Sequence, residues 1–420
     1  MENAWCSIAE VYEAYLDCKK RKSKSTQFAQ FAANEAANIY DLWKELNERT
    51  YEIGASDAFC VTRPKVREVF AAQFRDRIVH HLCMLRLLPI FEAVFIDDTY
   101  NCRVGKGTDY GIRRVAQYMQ NNPDGWVLKC DIRCFFMNIH KERLADMLEQ
   151  FIAQHYKGAD IEPIQWLVRK IAMHRPEILC IRKGDLSLWN ELPKGKSLFD
   201  TNGERGLAIG NLTSQIFANY YLLPLDKWLS SIEGVRYGRY VDDFVLVAGK
   251  RDVLKALLPD IRIFLRERLG IDLHPSKVYL QPIRHGLTFL GSVIKGKQIY
   301  AGNRTIGNVT NLIREYALIE DKERHIEKFC ARYNSYMGYL VHRNTYAIRW
   351  RLWNMVDEDT KRLVYMTGDL AVMKVRNKYK ERNKLIKLYS HGKKNFYTRR
   401  LRRGCTCVQA RQQAVLFSAG

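Results

Sequence analysis

Residues 238–247 of the chain read GRYVDDFVLV, in which two acidic residues separate two runs of strand-forming residues. The β-branched and aromatic side chains on both sides of the acids predict a β-hairpin with Asp242 and Asp243 at its tip. Two carboxylates at one buried tip repel each other, and burial penalises the charge of each. A bound divalent cation removes both penalties, so the pattern favours a metal site. A polar turn, for which Asp is well suited, is the alternative.

A third acid ends another apolar segment earlier in the chain. Residues 126–136 read WVLKCDIRCFF, which predicts a strand that ends at Asp131 and is followed by aromatic residues. If this strand lies antiparallel beside the hairpin, the three carboxylates meet and can hold two Mg²⁺ ions about 3.5–4 Å apart, as in-line phosphoryl transfer requires. A helix N-cap is the usual role of a lone acid after a strand. That role is weakened here because the next predicted helix begins only near Lys141.

The pair Asp97 and Asp98 provides an internal comparison. It lacks an apolar run on its C-terminal side and leads directly into residues 103–108, which read RVGKGT. We therefore predict a turn or a helix cap at this pair and not a metal site. The Gly-Lys-Gly-Thr loop has backbone amides that can hold phosphate, but it lacks the spacing of a nucleotide-binding P-loop.

The overall composition predicts a globular protein with a polyanionic partner. The chain has 420 residues, of which 47% are apolar, and a formal net charge of +22. Thirteen basic residues and one acid lie between Lys374 and Arg403, so positive charge is concentrated in this late segment. Nucleic acid is the simplest partner for this charge, and an anionic membrane surface is the alternative.

The sequence disfavours membrane-spanning, secreted and zinc-binding proteins. No apolar run approaches the roughly 18 residues that a membrane span needs, and the first residues lack the features of a signal peptide. The eleven cysteines are scattered without a CxxC pair, which is typical of reduced thiols in the cytoplasm. Cys405 and Cys407 have no histidine ligands nearby, so we do not expect zinc there.

Elsewhere the pattern alternates helical segments with short strands. A buried helix follows the segment 206–215, GLAIGNLTSQ, and Thr213 or Ser214 is a suitable N-cap for it. Gly210 lets the backbone approach a ligand closely. The other predicted elements are helices in residues 1–50, a basic strand and a helix in 63–88, two helices in 141–174, a Gly/Lys/Pro-rich insertion in 175–205, a helix in 253–265, a hairpin in 287–300 and helices in 303–356.

The order of these motifs resembles the palm of reverse transcriptases. The motifs are Asp131, Gly210, Asp242-Asp243, Lys277 and Phe289-Leu290-Gly291, and the resemblance extends over residues 50–345. It implies an α+β fold, namely a right-hand polymerase with fingers and palm, built from an antiparallel sheet flanked by helices, plus a helical thumb and a basic C-terminal extension. The implied segments are 1–125 for N-terminal helices and fingers, 126–285 for the palm, 286–302 for a primer-grip hairpin, 303–360 for the thumb and 361–420 for the basic tail.

Three segments look more narrowly like reverse transcriptases of diversity-generating retroelements. They are residues 74–77 (FRDR), 103–108 and 209–215 (IGNLTSQ). Group II intron and retron enzymes usually carry Gln-Gly and Ser-Pro where this chain has Ile209-Gly210 and Ser214-Gln215. Because this loop packs against the templating base and the incoming nucleotide, the resemblance implies frequent misincorporation opposite template adenines. The implied activity is the copying of a template-repeat RNA into adenine-mutated cDNA.

The resemblance also implies roles for individual residues. The three acids of the predicted site would hold two Mg²⁺ ions, with the Ile132 carbonyl as a further ligand and Mn²⁺ as an alternative metal. Lys277 would protonate the leaving pyrophosphate, and Phe136 would exclude a ribose 2′-hydroxyl. The implied nucleotide-binding residues are Lys65, Arg67, Phe136, Ile209, Gly210 and Tyr240. The implied nucleic-acid-binding residues are Arg103, Lys106, Gln215, Leu290 and Gly291.

The implied partners are a template RNA, a primer or cDNA, deoxynucleoside triphosphates (dNTPs) and a small basic accessory protein, in the cytoplasm and without a membrane. Two other functions stay open: a reverse transcriptase of retron, defence or group II type, and a non-catalytic RNA-binding protein with a polymerase-like fold. Attachment of the basic tail to a membrane surface is a third, although residues 385–389 form only a short apolar face. The complete set of three acids, together with Phe136, favours catalysis.

Overall fold

The computed structural model describes residues 4–20, 25–62 and 65–379 of the chain. They belong to two units, divided between Leu287 and Thr288. The helices of the first unit are α1 (Ile8–Lys19), α2 (Thr26–Ala32), α3 (Glu35–Asn47), α4 (Phe74–Val94), α5 (Thr108–Gln120), α6 (Phe135–Asn138), α7 (Lys141–His155), α8 (Ile161–Met173), α9 (Leu212–Tyr221), α10 (Leu223–Ser230) and α11 (Arg251–Phe264). Its strands are β1 (Ser56–Val61), β2 (Arg67–Ala71), β3 (Trp126–Asp131), β4 (Cys180–Arg182), β5 (Val235–Tyr240), β6 (Asp243–Ala248) and β7 (Tyr279–Pro282).

A four-stranded antiparallel sheet with the order β5-β6-β3-β7 carries the acids. The predicted hairpin is confirmed as β5 and β6, which are joined at Val241 and Asp242. Because β6 lies between two other strands, its residues from Phe244 to Ala248 are all buried, which explains the continuous apolar run. Strand β3, which ends at Asp131, is the antiparallel neighbour that the sequence predicted.

Helices pack around this sheet. α11 contacts β3, β6 and β7, while α5 and α10 contact β5. α11 continues into a π-helical turn, Leu265–Leu269, and the helix stops at Gly270, whose left-handed φ of 65° suits a glycine at a helix C-terminus. The combination of antiparallel strands and covering helices is the α+β class expected from the sequence.

A smaller sheet in the same unit has the order β2-β1-β4. β1 and β2 are antiparallel, whereas β4, which comes from the insertion at 175–205, pairs with β1 in parallel. The basic strand predicted before the helix is β2, and α4 follows it directly. α4 contacts α1, α2 and α9. The insertion is therefore hydrogen-bonded into the first unit through its own strand.

The N-terminus of α9 differs from the prediction. Thr213 and Ser214 lie inside the helix and are buried, and Asn211 is the N-cap residue. The Thr213 hydroxyl lies 2.8 Å from His80 Nδ1 on α4, so it takes part in helix packing. Asn211 Oδ1 accepts a hydrogen bond from the Ala72 N–H at 3.1 Å, which ties the start of α9 to the end of β2.

The second unit contains strands at both ends and helices between them. Its elements are β8 (Leu287–Phe289), which crosses the division, then β9 (Ser292–Lys295), β10 (Gln298–Ala301), α12 (Asn303–Ala317), α13 (Lys322–Leu340), α14 (Tyr346–Asn354), α15 (Glu358–Leu363), β11 (Val364–Thr367) and β12 (Val372–Val375). The predicted hairpin is β9 with β10. The apolar residues 287–294 do not form one strand. They are divided into β8 and β9, because Leu290 and Gly291 have left-handed φ values of 48° and 79°.

The core of the second unit is helical, as predicted for residues 303–356. The apolar stripe of α13 is buried in it, including Phe329, Tyr333 and Met337. Residues 361–375 were expected to begin the basic tail, but they end α15 and form the β11–β12 hairpin, which contributes Val364 and Met373 to the same core. The rest of the predicted tail, from residue 380, lies outside the described residues.

Across the described residues, no helix combines the length and the apolar character that a membrane crossing requires.

Candidate active site

Three acidic residues lie at one end of the four-stranded sheet. Asp131, at the end of β3, stands opposite Asp243, at the start of β6, in the antiparallel register. Asp242 precedes Asp243 at the hairpin tip, and the Ile132 N–H donates a hydrogen bond to the Asp242 carbonyl at 3.1 Å. Side chains directly opposite in an antiparallel pair have Cβ atoms about 4.5–5.5 Å apart. The fold thus brings together the three acids that the sequence singled out.

The hairpin tip has an unusual backbone conformation at Val241. Its φ is 58°, a left-handed value that is rare for a β-branched residue. Two side chains hold the peptide groups on either side of this residue. The Val241 N–H donates to Asn101 Oδ1 at 2.9 Å, and Arg239 Nη1 donates to the Val241 carbonyl at 2.9 Å. These bonds hold the tip in the conformation that places Asp242.

Arg239 belongs to a buried ion pair beneath the tip. Its Nε donates to Asp226 Oδ1 at 2.6 Å, and both side chains are fully buried. Asp226 also accepts hydrogen bonds from the Tyr237 hydroxyl at 2.7 Å and the Thr99 hydroxyl at 3.1 Å. A buried ion pair needs such additional partners to offset the loss of hydration. The support of the tip is therefore a fully desolvated polar network.

The segment after the Asp97-Asp98 pair runs beside β5 and joins this network. The Arg239 N–H donates to the Asp98 carbonyl at 2.8 Å, and the Tyr100 N–H donates to the Arg239 carbonyl at 2.9 Å. The pair itself forms a turn, as predicted. Asp98 Oδ1 accepts from Arg114 Nε at 3.0 Å, so its charge is neutralised locally.

The electrostatic environment of Asp242 is that of a buried acid beside other charges. Burial raises the pKa of Asp242 above its ordinary value, and the Asp131 carboxylate raises this pKa further. The positive charges of Lys196 and Arg67 lower the pKa of the same group. Two cations from distant parts of the sequence therefore act on one acid at the hairpin tip.

Asp243 is in a similar position. Burial raises the pKa of Asp243 to about 6, against the opposing charge of Lys129, whose Nζ lies 3.1 Å from Asp243 Oδ2. Asp243 Oδ1 is buried, and among the described residues it has no hydrogen-bond donor. A buried carboxylate oxygen without a donor is a site where a cation can bind. Hard oxygen ligands of this kind suit Mg²⁺ or Mn²⁺.

The side chains are not arranged as a closed metal cluster. Among the described residues, no three Asp, Glu, His or Cys side chains converge as a metal-binding group. Instead, Lys277 Nζ lies 2.9 and 3.1 Å from the two oxygens of Asp131, and Lys129 contacts Asp243. The donor set fits a divalent cation in chemistry and charge, and in this structure two of the three acids contact lysines.

The predicted nucleotide-binding residues Phe136 and Ile209 are half-buried and pack against a small cluster of buried residues that includes Phe70 of β2. The Phe70 N–H donates to the Ile209 carbonyl at 2.8 Å, and the Leu207 N–H donates to the Phe136 carbonyl at 2.7 Å. These bonds place the segment before α9 alongside β2. Arg67, at the start of β2, is exposed beside it.

Gly210 has a structural reason to be glycine. Its φ is 133°, and a Cβ atom there would lie 2.6 Å from the Phe70 carbonyl oxygen. The close approach expected at this position is therefore an approach to the protein's own strand β2. Tyr240 ends β5 opposite Asp243 and is half-buried, and Lys65 is exposed next to residues 63–64, which are not described.

The residues predicted to bind nucleic acid are scattered. Arg103 is almost buried, and its Nε donates to Glu92 at 2.6 Å, so its charge is used inside the protein. Lys106 donates to the Asp97 carbonyl at 2.5 Å. Gln215 is half-buried on α9, with its Oε1 3.9 Å from Cys102 Sγ. Leu290 and Gly291 belong to the second unit and form the corner between β8 and β9.

Several residues around the acids were not evident from sequence patterns. Asn101, Asp226 and Arg239 support the tip, and Lys196 lies in the insertion, which carried no motif. Arg239 immediately precedes the segment Tyr240–Asp243. It could have been singled out from the sequence, because an Arg inside a strand that packs against a core needs a buried partner. Lys196 offered no such signal.

The comparisons with known proteins agree with this site. The profile of the family described as Reverse transcriptase (RNA-dependent DNA polymerase) matches residues 62–294, which is more than half of the 420-residue chain and includes all three acids. The chain therefore belongs to the reverse transcriptase family. Protein YkfC of Escherichia coli K12 is 22% identical over 282 residues, which cover 58% of this chain and 68% of YkfC.

Among solved structures, the matches include two telomerases, both at low sequence identity and with TM-scores below 0.5. Apo telomerase from Candida tropicalis is 11% identical, with a TM-score of 0.43, over 72% of this chain and 61% of that chain. Telomerase from Candida albicans in complex with a fragment of telomeric RNA is also 11% identical, with a TM-score of 0.38, over 78% of this chain and 64% of that chain. The chain thus spans less than two-thirds of the length of these telomerases.

Proposed function

We propose that this protein is an RNA-directed DNA polymerase that extends a primer on an RNA template with dNTPs. The observation that carries the proposal is the antiparallel register of β3 and β6, which sets Asp131 opposite Asp243 beside the tip residue Asp242. Family membership gives the same assignment independently. Three carboxylates in this position are the ligands that a two-metal nucleotidyl transfer uses.

In this mechanism Asp131, Asp242 and Asp243 would hold two Mg²⁺ ions, with Mn²⁺ as an alternative and the Ile132 carbonyl as a further ligand. The ions would activate the primer 3′-hydroxyl and neutralise charge on the leaving pyrophosphate. Lys277, whose Nζ lies 2.9 Å from Asp131 Oδ1, would donate a proton from Nζ to the leaving pyrophosphate. A deoxynucleotide would bind between Phe136 and Arg67, where the aromatic ring excludes a 2′-hydroxyl and the guanidinium binds phosphate.

We assign the segments of the right hand accordingly. Residues 1–125 would be N-terminal helices and fingers, 126–285 the palm, 286–302 the primer grip and 303–360 the thumb. RNA template, primer or cDNA and a small basic accessory protein would be the partners, and the cytoplasm the location. The late basic residues would contact RNA phosphates without reading sequence.

The finer proposal is that the enzyme makes adenine-mutated cDNA for a diversity-generating retroelement. It rests on Ile209, an apolar residue where related enzymes usually carry Gln. The Ile209 carbonyl is fixed by Phe70, so the position is held firmly while its side chain has no amide to bond to a base. This removes a polar contact that would discriminate between correct and incorrect base pairs.

The experiment uses the purified full chain with an RNA template, a DNA primer, Mg²⁺ and dNTPs, followed by sequencing of the products. Extension by the parent but not by Asp242→Asn supports the polymerase. Errors concentrated opposite adenine, and reduced in Ile209→Gln, support the mutagenic subclass. Accurate extension would instead favour a reverse transcriptase of the retron, defence or group II type. If the parent shows no primer extension even with its cognate RNA and an accessory protein, the non-catalytic RNA-binding function is favoured.

A further inference from the structure

The insertion at 175–205 is fixed to the fingers by one buried acid. Glu68 on β2 is 2% exposed and accepts three hydrogen bonds, all from the insertion. The donors are Trp189 Nε1 at 2.7 Å, the Ser197 hydroxyl at 2.8 Å and the Leu198 N–H at 2.7 Å. Hydrogen bonds to a buried charged group are strong, so this contact holds residues 197–198 against the strand that carries Arg67.

The other side of the same turn contacts the loop after Asp131. Gly195 has a left-handed φ of 75°, and a Cβ atom there would lie 3.8 Å from Cys134 Sγ. Cys134 follows Asp131 and precedes the predicted steric gate Phe136. Lys196 therefore lies between the loop that follows Asp131 and strand β2, which carries Arg67.

Lys196 and Arg67 adjoin the two ends of the contact between Glu68 and Ser197. Lys196 precedes Ser197, whose hydroxyl donates to Glu68 Oε1 at 2.8 Å, and Arg67 precedes Glu68 on β2. Lys196 is half-buried, and within the described part of the chain it makes no ion pair. Two cations therefore lie next to one buried anchor, and Gly195 places the turn that carries Lys196 beside the loop after Asp131.

We propose that Lys196 binds the triphosphate of the incoming dNTP together with Arg67. This inference rests on the proposed polymerase function. A polyphosphate neutralises both cations, while the metal ions neutralise the three acids, so each group in the site gains an opposite charge on substrate binding. The insertion is then part of the nucleotide site, and the Glu68 anchor keeps Lys196 beside Arg67.

The test compares Lys196→Ala and Lys196→Arg with a matched control in the same loop, Lys194→Ala, because Lys194 is exposed. Single-nucleotide extension measures kcat and KM for dNTP. We expect Lys196→Ala to raise KM about tenfold, since a charge-assisted contact is lost, with a smaller change in kcat. Lys196→Arg should stay within about threefold of the parent, because it keeps the charge. Lys194→Ala should match the parent, and all variants should keep the parental melting temperature.

Equilibrium binding of dNTP to the full chain, followed by tryptophan fluorescence, gives a readout without catalysis. A dissociation constant about tenfold weaker in Lys196→Ala than in Lys194→Ala supports the inference. Equal affinities, an absence of dNTP binding by the parent, or a fall in kcat with unchanged KM overturns it. Intact binding with the expected Lys196 effect but no primer extension counts against the polymerase function alone.

Discussion

The chain contains two Asp-Asp pairs, and they have opposite surroundings. The side chain of Asp97 is 88% exposed, and its neighbour Asp98 contacts Arg114 and the Tyr100 hydroxyl. Asp242 and Asp243 lie at a sheet end opposite a third acid, and burial raises the pKa of both. The same dipeptide is thus part of a neutralised turn in one place and, in the other, part of a group of three buried or half-buried acids, two of which contact lysines.

The difference comes from what each pair faces across the structure. Asp98 has a cation on the nearby helix α5. Asp243 faces Asp131, which lies far away in sequence but directly opposite in the sheet. Like charges directly opposite in a sheet are destabilising, so the second arrangement reduces stability unless Lys129 and Lys277, or a bound ligand, offset the repulsion. This indicates that charge concentration, and not the dipeptide itself, distinguishes a site from a turn.

The largest difference between the two pairs is expected in the rate of primer extension when one acid of each pair is replaced. Asp242→Asn should reduce primer extension on the order of 10³-fold, because it removes charge that stabilises the transition state through bound metal. Asp97→Asn should stay within about twofold of the parent, since surface changes have small effects. Rates of single-nucleotide addition measure both. Equal losses in the two variants would show that the pairs do not differ in function.

The ion pairs beside the two Asp-Asp pairs should also differ in how much they contribute to the free energy of unfolding. Asp226→Asn leaves Arg239 with its charge buried beneath the tip, so we expect the free energy of unfolding to fall by about 3–5 kcal/mol. Urea denaturation with a constant m-value measures this loss. A loss below about 1 kcal/mol, the size expected of an exposed ion pair, would contradict the desolvated network.

The acid pair at the tip should also give the metal-free protein a distinctive pH dependence. The pKa of Asp243 is about 6 in the folded state, above the value of about 3.9 for an unfolded Asp. The folded state therefore keeps its proton to a higher pH, and the parent loses stability as the pH rises from about 4 to about 6, by about 2–3 kcal/mol in total. Asp243→Asn should lack this loss.

Urea denaturation at pH 4 and pH 7 with a metal chelator tests the prediction. The Asn variant should be the more stable protein at pH 7, and the two should converge at pH 4. Added Mg²⁺ should narrow the gap at pH 7 by stabilising the parent through binding. Asp97→Asn serves as the control and should follow the parent at both pH values. A parent that gains stability between pH 4 and pH 6 relative to Asp243→Asn would reverse the sign and exclude this account.

The smallest effect is expected at the first pair. Arg114→Ala removes the cation beside Asp98, and because the Arg114 side chain is 36% exposed, the loss of stability should be at most about 1 kcal/mol. The loss should shrink further at high salt, which screens exposed charges. Thermal or urea denaturation at two salt concentrations measures it. A loss as large as that of Asp226→Asn would remove the contrast between the two supports.

Local patterns in the sequence were sufficient for the hairpin, the strand before Asp131 and the turn at Asp97-Asp98. Each depends on residues that are neighbours in the chain, where strand and turn preferences act directly. Contacts between distant residues were beyond such patterns. Glu68 meets Ser197 and Leu198 only after folding, and no spacing rule links an acid in a strand to a Gly/Lys/Pro-rich insertion.

Two local predictions failed because of packing. Thr213 looked like an N-cap, but its hydroxyl is used by His80 across two helices, and Asn211 takes the cap position. The expected tail was defined by its charge, yet Val364 and Met373 are buried in the second unit. The basic composition of that segment indicated its exposed side chains but not the apolar side chains that it buries.

The backbone bonds between Arg239 and the segment Asp98–Tyr100 have an evolutionary consequence. The segment that follows the Asp97-Asp98 turn supports the turn where we propose a metal site, since Asn101 and Arg239 hold the peptide groups on either side of Val241. An insertion or deletion within residues 98–101 would shift the acid tip even though it leaves every acid in place. Mutations at the two turns should therefore show epistasis, with the exposed Asp97 free to vary and Asn101 constrained to co-vary with the tip.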